Sequence, residues 1–315
     1  MVKTAPGVLP ALRVAAPPPP RARRGLTIAL FLLPAVVLFA LLVLAPILLA
    51  FYAGFFKWNG MGGLPQDFVG LDNYLRLFAS EVFAGDLRNM GLLVLASLAV
   101  QLPLSLGIAL LLNQRLRGRA GYRLLFFAPY VLSEAVTAVL FSMILAPDER
   151  GLANAILGAF GLSSTWFADT STVMPALFLV MTWKYFGFHT LLYLAGRQSI
   201  PKELTEAAQI DGGTPWQVFR HVTLPLLGPT IRISVFLSVI GTVQLFDLVW
   251  IITGGGPSHA SETMAVTMME FGFKRLQIGY ASAISVVMFV LSLVFALWYQ
   301  RFVLRRDLEG ATVNR

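Results

Sequence analysis

The chain has 315 residues, of which 57% are hydrophobic and 13% charged, with a mean hydropathy of +0.74 and a net charge of +8. A water-soluble domain carries about 25% charged residues, so this much apolar surface cannot be hidden in one aqueous core and the solvent must be largely lipid. The basic residues lie in short connectors between apolar runs, which favours a membrane surface over nucleic acid. The absence of cysteine excludes disulfides, thiolate metal sites and cysteine nucleophiles. His189, His221 and His259 are far apart and show no metal-ligand spacing.

In chain order, residues 1–25 contain Pro17-Pro18-Pro19-Pro20 and few large apolar side chains, so a disordered or polyproline tail is expected. Six runs then reach the ~20 residues that a helix needs to cross hydrocarbon. They lie near 27–54, 89–112, 123–145, 172–195, 225–252 and 280–303. Inside lipid, backbone amides must be bonded within the segment, so these runs become helices. The first is too long for a signal h-region and has no small-residue cleavage site, so it reads as a retained span. The expected fold class is all-α: a polytopic membrane protein of six transmembrane helices, with a permease-like body over 26–310. Between the first two spans, Trp58 to Gly63 reads as a flexible turn and Phe68-Val69-Gly70-Leu71-Asp72-Asn73-Tyr74 as a short ordered piece at the membrane surface.

Orientation follows from lysine and arginine. With both termini cytoplasmic, sixteen of these residues lie in the inner segments. Only Lys57, Arg76, Arg88, Arg150, Lys274 and Arg275 lie in the outer ones. The polar segment 196–224 between spans four and five is thereby cytoplasmic. At about 28 residues it exceeds the two to eight of most helix–helix connections. Pro201 opens one short helix, with a narrow apolar face of Leu204, Ala207, Ala208 and Ile210. Gly212-Gly213 ends it, because glycine enters the left-handed region at no steric cost. Thr214-Pro215-Trp216-Gln217 then reads as a capping box opening a second helix, to which Trp216, Phe219 and Val222 add apolar contacts.

Glu206, Ala207, Ala208, Asp211, Gly212, Phe219, Val222, Leu224, Pro225 and Pro229 match the spacing of the EAA loop of ABC-importer permeases, which this segment resembles. Gly213 replaces the usual alanine, a departure expected to loosen the turn. Phe68 to Tyr74, Trp183-Lys184-Tyr185-Phe186-Gly187, Ser199-Ile200-Pro201 and Thr253-Gly254-Gly255-Gly256-Pro257 are similar to elements of the MalF-like partner of carbohydrate importers. The C-terminal Arg305 to Gly310 does not look like the glycine-rich tail of the MalG-like partner. The resemblance implies a type I ABC importer permease fold. It also implies a MalG-like second permease, two ATPase subunits, an extracytoplasmic solute-binding protein and a sugar substrate. The chain has no phosphate loop, so no cofactor is expected on it, and ATP and Mg would sit on the ATPase subunits. Contact with an ATPase would fall on Glu203, Glu206, Ala207, Ala208, Asp211, Gly212, Gly213, Phe219 and Pro225.

A charge in hydrocarbon costs ~2.5–3.5 kcal/mol on insertion scales, so each one needs a reason. Glu134 and Lys184, near the middle of spans three and four, are expected at equal depth, and an ion pair between them is one reading. A hydrated cavity or a neighbouring subunit is the other. Gln244 and Asp247, three residues apart on span five, are expected to share a helix face. Carboxylates and amides bind sugar hydroxyls, and aromatic rings cover the apolar faces of sugars. Tyr130, Glu134, Lys184, Tyr185, Phe188, His189, Gln244, Phe246 and Asp247 are therefore the substrate-pathway candidates, with helix packing as the bland alternative for the aromatics. Di- or oligosaccharide is the expected cargo. Glycerol-phosphate esters are the nearest alternative, although the outer loops are not strongly basic. An ion-coupled secondary transporter would need its own ion site and usually an inverted repeat, and neither is visible. No catalytic cluster supports an enzyme.

Overall fold

A computed structural model of the chain describes residues 21–114 and 117–304. Residues 1–20 of the expected tail and Arg305 to Gly310 lie outside them. The chain divides into two units, Met1–Leu49 and Ala50–Arg315.

In chain order α1 covers residues 21–53, starting ahead of the expected boundary and passing a π-turn at Ala40–Leu44. It is followed by α2 (Asp72–Phe78), α3 (Glu81–Leu112), α4 (Arg119–Val131), α5 (Glu134–Ile144), α6 (Leu152–Gly158) and α7 (Val173–Ser199). Next come α8 (Lys202–Ile210), α9 (Pro215–Leu226), α10 (Gly228–Val243), α11 (Asp247–Ile252), α12 (Met264–Met269) and α13 (Ile278–Leu304). Among the described residues there is an isolated bridge, Phe56 to Phe68, and no longer strand pairing.

Among the described residues, three helical stretches are long and apolar enough to cross a membrane: Ile28–Ala53, Glu81–Leu112 and Ile278–Leu304. Two bent pairs raise the number to five, α4 with α5 at 98° and α9 with α10 at 64°. With 27 residues α7 is long enough but is not among these apolar stretches. It carries Lys184, His189 and Thr190 buried on its inner face. Phe31, Leu42 and Leu48 on α1 and Val294, Leu297 and Trp298 on α13 stay exposed, as surfaces solvated by lipid do.

Two expected spans are therefore broken. In span three, Pro129 removes an amide from the last turn of α4, and Leu132 and Ser133 are extended. Ser133 caps α5 by accepting from the Val136 amide at 3.2 Å. Glu134 thus begins a helix instead of sitting mid-span. In span five the helix stops at Val243 and restarts at Asp247. Gln244 and Asp247 flank the break and do not share a helix face. The Leu245 carbonyl, freed there, accepts from Thr263 Oγ1 at 3.0 Å.

The main core joins α3, α5, α7, α11 and α12 through Leu93, Phe141, Leu177, Val180, Leu248 and Val266. A second cluster of Leu77, Phe83, Met264, Tyr280 and Ile284 ties α2 to α13. Small residues permit the closest backbone approaches, as lipid-bathed packing favours. A Cβ on Gly187 of α7 would stand 2.0 Å from the Phe126 carbonyl oxygen of α4. Asn73, buried, donates to the carbonyls of Gly54 and Phe56 at 3.0 Å each, so the ordered piece predicted at Phe68 to Tyr74 closes the end of α1.

Candidate functional site

Two places gather the predicted residues. The first is a bracket formed by α8 and α9. Pro201 precedes α8 in an extended conformation, and Lys202 is the first helical residue. The end of α8 is a Schellman turn: the Gly213 amide donates to Ala208 O at 3.0 Å and the Gly212 amide to Gln209 O at 3.1 Å. Gly212 has φ +84°. Gly213 does not loosen this turn, since a Cβ there would lie 2.7 Å from the Ala208 carbonyl oxygen. Thr214 and Gln217 form the expected capping box. The Gln217 amide donates to Thr214 Oγ1 at 3.3 Å, and the Thr214 amide to Gln217 Oε1 at 2.8 Å.

Thr205, Val218 and Thr223 are the buried side chains of the bracket, while Phe219 and Val222 are half-buried. Glu203, Glu206, Ala207, Asp211, Gly212 and Pro225 are exposed, and Ala208 and Gly213 half-buried. Leu204, Ile210 at 85% and Trp216 at 65% are exposed. Between the helices lies a cavity of about 340 Å³ bordered by Ala208, Asp211, Gln217 and His221.

The second place is a cavity of about 360 Å³ where α3, α4, α5, α7 and α10 meet. Of the predicted pathway residues, Tyr130, Glu134, Tyr185, Phe188, His189 and Gln244 line it. Both helix breaks open onto it. Tyr185 donates its hydroxyl to Glu134 Oε1. Tyr130 stacks on Phe188 with centroids 5.0 Å apart. His189 is buried and shares a 2.8 Å hydrogen bond between Nδ1 and Ser234 Oγ.

Lys184, Phe246 and Asp247 do not line the cavity. The ion pair between Glu134 and Lys184 is not formed. Lys184 is 3% exposed, and its ammonium donates to the carbonyls of Pro129, at 3.2 Å, Tyr130, at 3.1 Å, and Leu132. These carbonyls belong to the end of α4, where the break leaves them without intrahelical donors and where a helix favours positive charge. Phe246 stacks on Trp250, and Asp247 is exposed in the first turn of α11.

Sequence reasoning missed Ser97, Gln101, Ser238 and Thr242, which also line the cavity. Ser97 donates to Gln101 Oε1 at 2.7 Å and lies 2.7 Å from Ser238 Oγ on α10. Ser97 and Gln101 bound a π-turn, a local widening frequent at functional sites. Each of the two pairs is spaced i, i+4 in an apolar run, and that polar stripe was the available signal.

In the turn that follows α12, Lys274 and Arg275 pair with Glu270 at 3.0 and 3.4 Å. The Lys274 hydrogen bond is the main reason that the Glu270 carboxyl is held below the usual carboxylate range.

Residues 101–307 match the model of the binding-protein-dependent transport system inner membrane component family. The sulfoquinovosyl glycerol transport system permease protein SmoG of Agrobacterium fabrum is 33% identical over 88% of this chain and 90% of its own length. The trehalose/maltose transport system permease protein MalF of Thermococcus litoralis is 32% identical over 86% of this chain and 91% of its own. A solved chain of a bacterial ABC transporter involved in the import of the acidic polysaccharide alginate is 25% identical. It superposes with a TM-score of 0.79, covering 90% of this chain and 96% of that one. With its helical body, its bracket and its central cavity, the chain belongs to the binding-protein-dependent transport system inner membrane components, multi-pass membrane proteins that serve as the permease subunits of ABC importers.

Proposed function

We propose that the chain forms one half of the translocation pathway of an ATP-driven importer for di- or oligosaccharides. In this reading the chain crosses the membrane six times, with α7 as the fourth span, and the lysine and arginine bias supports a cytosolic side for both termini and the bracket. A MalG-like permease completes the pathway, two ATPase subunits carry ATP and Mg, and an extracytoplasmic binding protein delivers the sugar. Closure of the ATPases pulls the bracket inward and turns the pair outward-facing. Hydrolysis then reopens the inner side. This requires the bracket to be held differently in the two states, because an element bound equally well in both shifts nothing.

The observation that carries this reading is the bracket itself. Its turn is locked by the Schellman and capping-box bonds while Leu204, Ile210 and Trp216 face outward. The named cargoes of the relatives are sugars or sugar derivatives, and the cavity offers stacked aromatics beside a carboxylate and an amide.

The test is uptake and ATP hydrolysis by the assembled transporter carrying Glu206→Lys or Gly212→Val. Glu206→Lys reverses an exposed charge at the contact, and Gly212→Val puts a β-branched side chain at φ +84°. Both are expected to insert normally and to lose sugar uptake at least tenfold. Undiminished uptake by both would show that the bracket is not the coupling element.

A further inference from the structure

We infer that the cavity repels anionic sugars and admits neutral or amino sugars, through a field set by Glu134. The inference rests on the importer reading for its cargo, but its physical content concerns this cavity alone. Among the described residues, Glu134 is the one carboxylate or cationic side chain lining the cavity. Lys184 keeps its charge but does not line the cavity, so Glu134 is the charge that a ligand there meets. Lys184 is buried and engaged by the carbonyls of Pro129, Tyr130 and Leu132, and its ammonium lies 5.9 Å from the ring centres of both Tyr130 and Tyr185.

The other described residues of the wall are uncharged. Ser97, Gln101, Ser238 and Gln244 offer hydroxyl and amide groups, and the Tyr130–Phe188 stack offers an apolar face. Such a wall suits hydroxyls and pyranose faces. A uronate or sulfonate would meet Glu134 directly, with Lys184 held outside the lining, and low-dielectric walls strengthen the nearer repulsion. Tyr185 fixes the carboxylate in place by hydrogen bonding to one oxygen, which leaves the other to accept from a sugar hydroxyl.

The chain has no cysteine, so a single one can be read without background on this subunit. Gly241 lines the cavity, is exposed, and has open space where a Cβ would stand. Gly241→Cys is placed in the assembled transporter and treated with methanethiosulfonates bearing a trimethylammonium or a sulfonate group. The thiolate displaces methanesulfinate and forms a mixed disulfide, which is followed by the mass of this subunit.

The expected ratio of cationic to anionic rates, normalised to the same ratio for free glutathione, is about tenfold or more. Glu134→Gln collapses the ratio to within about threefold of unity, and Glu134→Asp retains it. A normalised ratio near or below unity in the otherwise native transporter overturns the inference. So does a ratio indifferent to Glu134→Gln, or a Gly241→Cys transporter whose new thiol reacts with neither reagent. Sugar uptake is measured in parallel. Failure of uptake with the reagent ratio intact counts against the importer reading and not against the field.

Discussion

The bracket and the cavity are built by opposite means. In the bracket, the bonds that set the shape join residues three to five positions apart, Thr214 with Gln217 and Ala208 with Gly213. In the cavity, the polar side chains are placed by partners far along the chain. Tyr185 and Glu134 are 51 positions apart, and Ser97 and Ser238 are 141 apart. A local device can be recognised without knowing the fold, whereas a long-range one exists only once the helices have packed. The bracket should therefore tolerate changes elsewhere in the molecule, while the cavity should fail when one helix contact is forced open.

The largest effect is expected where two backbones touch. At Gly187 an added Cβ would meet the Phe126 carbonyl oxygen at 2.0 Å, a contact with backbone that no side-chain rotation relieves. Gly187→Val pushes α7 away from α4 and so distorts the wall carrying Tyr130, Tyr185 and Phe188. Overpacking of this kind costs about 3 kcal/mol. The thermal midpoint of the purified transporter should fall by several degrees and sugar uptake should vanish. The bracket's own turn, being local, should keep its protection from amide exchange. A Gly187→Val protein with the native midpoint would mean that these two helices are not in backbone contact.

Next in size is the cap on α4. Lys184→Met keeps the length of the side chain but leaves the carbonyls of Pro129, Tyr130 and Leu132 without their donor. Unpaired buried acceptors cost about 1–3 kcal/mol. Glu134→Gln removes a charge yet retains an acceptor for the Tyr185 hydroxyl, so it should cost well under half as much. An ion pair would give the opposite pattern, with each single substitution as damaging as the double one. A double-mutant cycle on thermal stability separates the two, and a coupling above about 1 kcal/mol would restore the ion pair.

What the sequence disclosed follows the same division. The Gly212 turn and the capping box each rest on a few adjacent residues and stand where expected. The breaks at Leu132-Ser133 and at Gln244 to Phe246 were hidden, because apolar runs of span length conceal a bend when both halves are buried in protein. Pro129 was the one local hint of the first break. With continuous helices assumed, Glu134 and Lys184 were expected at one depth, with an ion pair between them as one reading. The break instead turns the end of α4 toward Lys184 and gives it carbonyls to satisfy. Tyr130, Glu134, Tyr185, Phe188, His189 and Gln244, singled out by their chemistry, line the cavity, while Ser97, Gln101, Ser238 and Thr242 passed as ordinary span residues.

The smallest effect, and the sharpest test of the division, is Thr214→Ala. The substitution removes the hydroxyl that accepts the Gln217 amide but leaves the Gln217 side chain free to receive the backbone amide at position 214. Loss of an N-cap of this type costs about 1 kcal/mol, confined to the first turn of α9. Because no cavity residue depends on that turn, global unfolding of the transporter should shift by less than a degree or two. Amide exchange at Trp216 and Gln217 should nevertheless rise several-fold. Uptake should fall while ATP hydrolysis continues, since a frayed turn transmits less of the ATPase displacement. If Thr214→Ala instead lowered global stability as much as Gly187→Val, the bracket would be part of the membrane core's cooperative unit, and the separation of a locally encoded lever from a remotely assembled cavity would not hold.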